Sequence, residues 1–301
     1  MAEVVVKTVG LTKVYRNRVQ ALKGIDLSVY LGEIFCLLGP NGAGKTTTLR
    51  ILSTQLEPSS GEAFILGFNV LSQASSIRDH IAVVPQEALP DPELTAWDHV
   101  FYYLLARGHS FKEAKYRARW ALEILELWDQ RGIAATYLSG GMRKRILVAM
   151  AIATRAPVLF LDEVSAGLDP LSRRSLWKAL FELKAECTII LTTHAMDEAE
   201  ALADRVAILN QGRVLKVGSP QELKKLIHEK HKLILTSPSL LDGLGNFGRV
   251  ESYGGKTIVY PHDDKARHHL FEQAMEKEVE ILMQPITLED VFIKLISEAA
   301  T

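Results

Sequence analysis

Short apolar runs rich in β-branched residues recur along the first two thirds of the chain. They predict strands, because a run of about four to six such residues is too short for a buried helix and suits a strand. The runs are Val4–Val9, Ile34–Leu38, Ile81–Val84, Val158–Leu161, Thr188–Leu191 and Val206–Leu209. Their nearly continuous apolar character is typical of strands buried on both faces of a largely parallel sheet. Two further segments, Ala21–Tyr30 and Ala63–Leu66, are interpreted as an antiparallel β meander beside that sheet.

Helical periodicity replaces the strand pattern between Pro92 and Arg155. Trp97–Leu105 and Tyr116–Leu127 carry apolar residues at helical spacing. This combination predicts an α/β fold, with a mainly parallel sheet and a helical subdomain of about residues 92–155 inserted into it.

The pattern changes again at Gly218-Ser219-Pro220, where Ser219 suits the N-cap of a helix beginning at Pro220. Beyond this point, shorter strand patterns alternate with two amphipathic helices, Asp264–Glu276 and Leu288–Ala299. We therefore expect two domains, residues 1–219 and a small C-terminal α+β domain of residues 220–301, which we interpret as an accessory or regulatory unit.

Composition narrows the class of protein. The 301 residues are 48% hydrophobic and 24% charged, which is the balance of a globular protein and excludes disorder as the main state. The formal charge of −1 argues against a protein that holds nucleic acid electrostatically, so we expect no nucleic-acid partner. Cys36 and Cys187 lie in apolar runs and are expected to be reduced, buried thiols. No apolar run is long enough to cross a membrane and no signal peptide is recognisable, so work at a membrane would require another chain to span it.

A glycine-rich loop follows the predicted strand Ile34–Leu38 and opens a predicted helix. Its sequence, Gly39-Pro40-Asn41-Gly42-Ala43-Gly44-Lys45-Thr46, fits the pattern G-x-x-x-x-G-K-[ST]. The glycines allow backbone N–H groups to face phosphate oxygens, and the positive end of the helix dipole faces the same anion. In such loops the lysine reaches the β- and γ-phosphates and the hydroxyl of Thr46 binds Mg²⁺. The alternative is an ordinary glycine-rich turn.

Two acids, Asp162 and Glu163, end the buried strand Val158–Leu161. Ligands bind at the carboxyl ends of strands in such sheets. Asp162 is therefore a candidate to hold Mg²⁺, and Glu163 is a candidate to polarise an attacking water. The alternative is a strand that ends in a solvated acidic pair.

Together with further motifs, these features resemble the ATP-binding subunit of ABC transporters. Leu138-Ser139-Gly140-Gly141-Met142 resembles the family signature, and Ser165-Ala166-Gly167-Leu168-Asp169-Pro170 resembles its D-loop. His194 resembles the switch histidine, Gln86 the Q-loop glutamine and Tyr15 the aromatic residue that stacks on adenine. The motifs occur in the family's order over roughly Val4 to Gly218.

The resemblance implies a P-loop NTPase core, an ATPase activity and an ATP-sandwich homodimer in which each ATP lies between one P-loop and the partner's signature. It implies ATP contacts for Tyr15, the Gly39–Thr46 loop, Thr47, Ser139, Gly140, Gly141 and Asp169. It further implies a Mg²⁺ site of Thr46, Gln86 and Asp162, and a catalytic set of Glu163, His194, Lys45 and Gln86.

Two positions depart from the family's usual pattern. Met142 stands where glutamine is usual, with little loss expected because the signature acts mainly through Ser139 and backbone N–H groups. Val164-Ser165 replaces the frequent Pro-Thr, and no consequence can be assigned to that change.

The C-terminal segment Ile286–Phe292 resembles the ending of ABC subunits from export systems of the ABC-2 type, although a plain terminal helix explains it locally. We therefore expect a subunit that powers separate transmembrane permease subunits from the cytoplasmic face of the membrane, most simply in an exporter. The loop Glu87–Glu93 is either a partner contact or a plain loop. The alternatives are a non-transport ABC ATPase acting on a macromolecular assembly, and a nucleotide-sensing module without turnover.

Overall fold

The computed structural model describes residues 3–236, 243–253 and 256–300, and it divides into two compact units, Met1–Pro220 and Gln221–Thr301. The strands of the first unit are β1 (Val4–Val14), β2 (Gln20–Tyr30), β3 (Ile34–Leu38), β4 (Ser60–Ile65), β5 (Phe68–Asn69), β6 (Ile81–Val84), β7 (Val158–Asp162), β8 (Thr188–Thr193), β9 (Arg205–Asn210) and β10 (Arg213–Gly218). Its helices are α1 (Lys45–Leu52), α2 (Ala74–Arg78), α3 (Ala96–Ala106), α4 (Phe111–Ile124), α5 (Gly140–Ala153), α6 (Pro170–Leu183) and α7 (Met196–Leu202).

The central sheet of the first unit has six strands in the order β10-β9-β3-β8-β7-β6. Neighbouring strands from β9 to β6 run parallel, and β10 pairs antiparallel with β9. Every residue of β3, β7 and β8 is buried, which fits the wholly apolar sequence of β3 and the apolar runs inside β7 and β8. The prediction of a mainly parallel, doubly covered sheet is confirmed.

The N-terminal strand was assigned to the wrong sheet. The prediction grouped Val4–Val9 with the parallel strands, but β1 lies in a second, antiparallel sheet of order β2-β1-β4-β5. The apolar run is misleading because Val4 and Val9, at its two ends, are exposed, so the strand is not buried throughout as a central parallel strand would be. The predicted meander strands, β2 and β4, are its partners.

Helices α3, α4 and α5 pack against one another and form the helical insertion. Each begins at a side chain that accepts a hydrogen bond from the first turn: Thr95 from Asp98, Ser110 from Glu113 and Ser139 from Met142. Such N-caps each stabilise a helix by about 1 kcal/mol. The chain therefore marks all three starts with short polar residues.

Both cysteines are free thiols; Cys36 is buried as predicted, whereas Cys187 is only half-buried. Burial raises the pKa of Cys36 well above its ordinary value, and burial raises the pKa of Cys187 to about 11. Neither thiol is therefore activated as a nucleophile.

In its described residues, the second unit contains one antiparallel sheet and two long helices. Its elements are α8 (Pro220–Lys224), β11 (His231–Leu235), β12 (Gly248–Tyr253), β13 (Lys256–Pro261), α9 (Asp264–Glu276), β14 (Ile281–Pro285) and α10 (Leu288–Ala300), with sheet order β12-β13-β11-β14. Buried side chains from β11, β13 and α9 form its core, among them Leu233, Val259 and Leu270. Across the described ranges, no helix of either unit is long and apolar enough to cross a membrane.

A buried polar cluster ties α10 to the sheet of the second unit. Lys232 Nζ donates to Asp290 Oδ1 at 2.7 Å, and Tyr260 Oη donates to the same oxygen at 2.9 Å. Thr287 donates its N–H and its hydroxyl to Asp290 Oδ2, both at 2.8 Å. Burial raises the pKa of Asp290, but the hydrogen bonds from Lys232, Thr287 and Tyr260 together outweigh burial and hold that pKa below its ordinary value.

Candidate functional site

The glycine-rich loop connects the buried strand β3 to helix α1. Two of its glycines are required by the geometry. A Cβ on Gly39 would lie 2.3 Å from the Leu209 carbonyl oxygen, and Gly44 has φ +105° with Leu22 only 2.7 Å from where its Cβ would be. Gly44 also lacks a side chain that could cap α1, so the first N–H groups of α1 receive no side-chain cap from that position. The loop therefore brings its backbone and a helix N-terminus close to the same space.

Lys45 is buried, although its ammonium group is charged. Its Nζ donates to the Gly39 carbonyl at 2.8 Å and lies 3.3 Å from Glu163 Oε1. A buried ammonium group requires such partners, because an unpaired charge is costly away from water. The loop carbonyl and the carboxylate hold the lysine inside the curve of its own loop.

Hard oxygen donors converge at the carboxyl end of β7. Asp162 Oδ1 accepts from the Thr46 hydroxyl at 3.1 Å and from the Thr192 hydroxyl at 2.5 Å. The convergence follows from the parallel register, which places Asp162 beside Thr192 on β8. A carboxylate beside a hydroxyl fits a small, hard divalent cation such as Mg²⁺.

Glu163 follows directly and has a left-handed backbone, with φ +49°. Its N–H donates to the Thr192 hydroxyl at 3.1 Å. Its carboxylate accepts from Gln86 Nε2 at 3.1 Å and lies 3.2 Å from His194 Nδ1. A strained backbone at a buried acid costs on the order of 1–3 kcal/mol and is typical of functional sites.

The structure therefore brings together four of the predicted residues, Lys45, Gln86, Glu163 and His194, which come from four separate parts of the sequence. The sequence motifs identified each of them singly. The contacts of Glu163 with the other three arise from the alignment of β3, β6, β7 and β8 in the parallel sheet.

An open cavity of about 580 Å³ lies over the loop. This volume is within the usual range for small-molecule sites. The predicted residues that line it are Tyr15, Asn41, Gly42, Ala43, Gly44, Lys45, Thr46, Thr47, Gln86 and Glu163. Tyr15 is fixed at its edge, because the phenol oxygen lies 3.1 Å from Thr47 Oγ1.

Sequence reasoning missed the other side of this cavity, which is lined by Val19, Gln20, Ala21, Lys23 and Gln211. Backbone hydrogen bonds hold this side in place: Gly212 N donates to Ala43 O at 3.0 Å, and Lys23 N donates to Gly212 O at 2.8 Å. The one available signal was the turn residue Gly212, which indicates a turn between two strands but gives no information about its neighbours.

Some predicted site residues do not line this cavity. Among the described residues, these include Gly39, Pro40, Asp162 and His194. The signature and D-loop residues form a second such group. Within the part of the chain that the structure describes, Ser139, Gly140, Gly141 and Asp169 are not among the residues that line it. Ser139 caps α5 and accepts from Met142 N at 3.1 Å, a contact that uses only the backbone of residue 142. Asp169 caps α6 and accepts from Ser172 N at 3.0 Å.

The signature and the D-loop instead meet each other. A Cβ on Gly141 would lie 2.7 Å from Ser172 Oγ, in the first turn of α6. Asp169 is exposed, and hydrogen bonds from the hydroxyl and N–H of Ser172 lower the pKa of its carboxyl. Two helix N-termini, those of α5 and α6, therefore lie side by side.

A family model described as "ABC transporter" matches residues 22–166. The daunorubicin/doxorubicin resistance ATP-binding protein DrrA of Streptomyces peucetius is 41% identical over 220 residues, which cover 73% of this chain and 66% of that protein. The phospholipid-transporting ATPase ABCA3 of Mus musculus is 32% identical over 291 residues, which cover 91% of this chain and 17% of that protein. The chain thus spans just under two thirds of the first relative and about a sixth of the second.

Solved structures agree with this similarity. CbiO1 of Clostridium perfringens, part of the ABC transporter complex CbiONQ, is 29% identical with a TM-score of 0.68, and the match covers 75% of this chain and 94% of that chain. A dimeric ATP-binding cassette in a post-hydrolysis state, bound to ADP and Pi, is 28% identical with a TM-score of 0.64. That match covers 71% of this chain and 98% of the other.

Proposed function

Because the chain belongs to the ABC transporter family of ATP-binding proteins, we propose that it hydrolyses ATP and thereby powers transport by a separate membrane-spanning protein. The observation that carries the proposal is the meeting of Lys45, Gln86, Glu163 and His194 beside the glycine-rich loop. A lysine, an amide, a carboxylate and an imidazole are the groups needed to bind a triphosphate and direct water at it.

The Gly39–Thr46 loop binds the phosphates through its backbone N–H groups, and Lys45 supplies the positive charge. Tyr15 offers an aromatic face to the base at the edge of the cavity. Thr47 lines the same cavity, and its hydroxyl contacts the Tyr15 phenol oxygen.

Thr46, Asp162 and Gln86 would hold Mg²⁺, because they offer a hydroxyl, a carboxylate and an amide oxygen. When bound, the cation neutralises part of the phosphate charge that develops during transfer. In this chain, Thr192 keeps the Asp162 carboxylate oriented through its hydroxyl hydrogen bond.

In the proposed reaction, Glu163 accepts a proton from water while the water oxygen bonds to the γ-phosphorus. The bond from that phosphorus to the β–γ bridging oxygen breaks, so ADP and phosphate leave. Gln86 and His194 contact the Glu163 carboxylate and hold it in place. His194 remains half-exposed, which leaves it accessible to the γ-phosphate.

We propose that the active form is a homodimer. Ser139, Gly140, Gly141 and Asp169 do not line the chain's own cavity, and we assign the helix N-termini they form to the nucleotide of a second copy. The dimeric cassette bound to ADP and Pi supports this arrangement.

The transport role and the export direction rest on the relatives, one named for drug resistance and one for phospholipid transport. The chain would act from the cytoplasmic face of the membrane, bound to its permease. A non-transport role on a macromolecular assembly has less support, because the segment between Gln86 and Ser139 folds into helices of 11 and 14 residues rather than a long coiled coil.

Phosphate release from Mg-ATP tests the enzymatic part of the proposal. The wild-type chain should turn over ATP, and Lys45→Ala should lose most ATP binding in calorimetry, because the phosphates lose their cation. Unchanged affinity in Lys45→Ala would refute the phosphate assignment. Isolation of the tagged chain from native membranes in mild detergent tests the transport part, which fails if no multi-span protein accompanies it.

A further inference from the structure

Helices α6 and α7 each begin beside a residue of the proposed site. α6 starts at its N-cap Asp169, and α7 starts two residues after His194. The directions of these two helices therefore determine where the D-loop aspartate and the switch histidine lie.

Helix α7 does not fix its own start. It has only 7 residues, and its N-cap Ala195 has no side-chain acceptor for the first-turn N–H groups. Helices of this length are marginal unless packing supports them, and a missing cap costs about 1 kcal/mol. The orientation of α7 must therefore come from its neighbours.

α7 packs on β3, β8 and α6, and α6 supplies a side-chain hydrogen bond and an ion pair. Trp177 Nε1 donates to Glu198 Oε1 at 3.1 Å, and the Glu198 residue is only 2% exposed. Arg173 pairs with Asp197 at 3.2 Å, and its guanidinium group lies 5.1 Å from the centre of the Trp177 ring. Both acids are in the first turn of α7.

The same helix contacts the signature with its first turn, through Ser172 against Gly141. One rigid element thus connects the surface proposed to receive the partner's nucleotide with the helix that follows His194. His194 in turn lies 3.2 Å from Glu163 Oε2.

We propose that Trp177 and Glu198 are positioning residues for hydrolysis. Their hydrogen bond holds α7, and with it His194, in a fixed position relative to the D-loop and the signature. Neither residue lines the nucleotide cavity, and the proposal routes their effect through His194, which contacts Glu163. The inference rests on the proposed ATPase function. It assigns a role to a buried acid for which that function alone gives no reason.

The test compares turnover and nucleotide affinity in single variants. Trp177→Phe and Glu198→Ala should lower kcat about tenfold to a hundredfold, the size of effect expected from a small displacement of a catalytic group. KM for ATP should not change, because the loop and Tyr15 are untouched. Glu198→Gln should retain most of kcat, since its amide oxygen still accepts from the indole. The double variant should be no slower than the slower single variant, because both remove one interaction.

Trp120→Phe is the matched control. Trp120 is also half-buried with an arginine over its ring, Arg155 at 4.8 Å, but it lies on α4 away from the cavity. It should retain wild-type kcat. Rates are counted per ATP-binding site measured by titration, so that loss of folded protein does not imitate loss of kcat.

Three results would overturn the inference. The first is a Trp177→Phe variant that melts earlier but keeps wild-type kcat per site. The second is a variant whose KM rises while kcat stays constant. The third is a Glu198→Gln variant as slow as Glu198→Ala. If the wild-type chain itself shows no turnover, the proposed function fails and this inference fails with it.

Discussion

Replacing Glu163 by glutamine separates the charge of this residue from its shape. In the structure, one carboxylate oxygen lies 3.3 Å from Lys45 Nζ and the other accepts from Gln86 Nε2 at 3.1 Å. At an effective dielectric of about 20, unit charges 3.3 Å apart attract by roughly 5 kcal/mol before desolvation is counted. Desolvation offsets much of this attraction, and the glutamine oxygen keeps a hydrogen bond, so the fold should lose only about 1–3 kcal/mol.

The substitution should change the free energy of activation by more than it changes the free energy of unfolding. Loss of a general base costs about 10²–10⁴ in rate, which is about 3–5 kcal/mol of barrier. ATP binding should tighten, because Lys45 no longer has a carboxylate competing with phosphate and an anion beside the triphosphate is gone. With slow hydrolysis and tight binding, the variant should accumulate as a closed dimer.

Single-turnover phosphate release and size-exclusion chromatography measure both effects. Glu163→Gln should run as a monomer without nucleotide and as a dimer with Mg-ATP, whereas wild type returns to monomer as ATP is consumed. Glu33→Gln is the matched control, because Glu33 is also buried and paired, with Arg205 at 3.1 Å, outside the cavity. It should keep the wild-type rate. A wild-type rate in Glu163→Gln would show that Glu163 is not the base, and a monomer at saturating ATP would refute the sandwich dimer.

Ser139→Arg should leave ATP binding to the monomer intact and abolish turnover, because Ser139 does not line its own cavity and is assigned to the partner's nucleotide. A large loss of monomer affinity in calorimetry would mean that the signature acts within one chain. Asp290→Ala should destabilise residues 221–301 by about 3–5 kcal/mol, because Lys232 becomes an unpaired buried charge; faster hydrogen exchange in β11 and β13 with unchanged exchange in β7 and β8 is the expected result. The pKa of Asp290 is depressed in the folded chain, so its contribution to stability is complete above about pH 4 and is lost as pH falls through the folded-state pKa; acid titration of the same exchange rates checks this. A chain ending after Ser219 should remain folded and bind ATP, since matches that cover only 71–75% of this chain cover 94–98% of the solved cassettes. A product that is insoluble or does not bind ATP would place the boundary elsewhere.

The buried strands were the most predictable part of the fold. The boundaries of β3 and β6 were predicted correctly, because their residues are almost all buried and their sequences are apolar throughout. β10 was missed because it is an edge strand with mixed exposure and no continuous apolar run. α6 was also missed, although its start carried a readable signal, Asp169 as N-cap with Pro170 at the first helical position.

The site could be predicted as separate motifs but not as an arrangement. The glycine-rich loop and the two acids can be predicted from local patterns, since phosphate binding needs glycines and a lysine at fixed spacing and the acids directly follow an apolar strand. That Glu163 contacts Lys45, Gln86 and His194 depends on strand order and register, which local patterns do not encode. Gln211 reaches the cavity through a hairpin turn held against the loop backbone, and no motif contains it. The roles of these residues stay predictions until the variants are measured.

The low reactivity of the two cysteine thiols has a practical consequence for fluorescence labelling of this protein. Alkylating reagents attack thiolate, and burial raises the pKa of Cys187 to about 11, so this thiol stays largely protonated at pH 7. Cys36 is fully buried in the central sheet and is still less accessible. In thiol labelling, the two native cysteines should therefore compete little with an introduced one. A single cysteine placed at exposed Leu171, next to the D-loop, could carry a fluorophore without any change to the core.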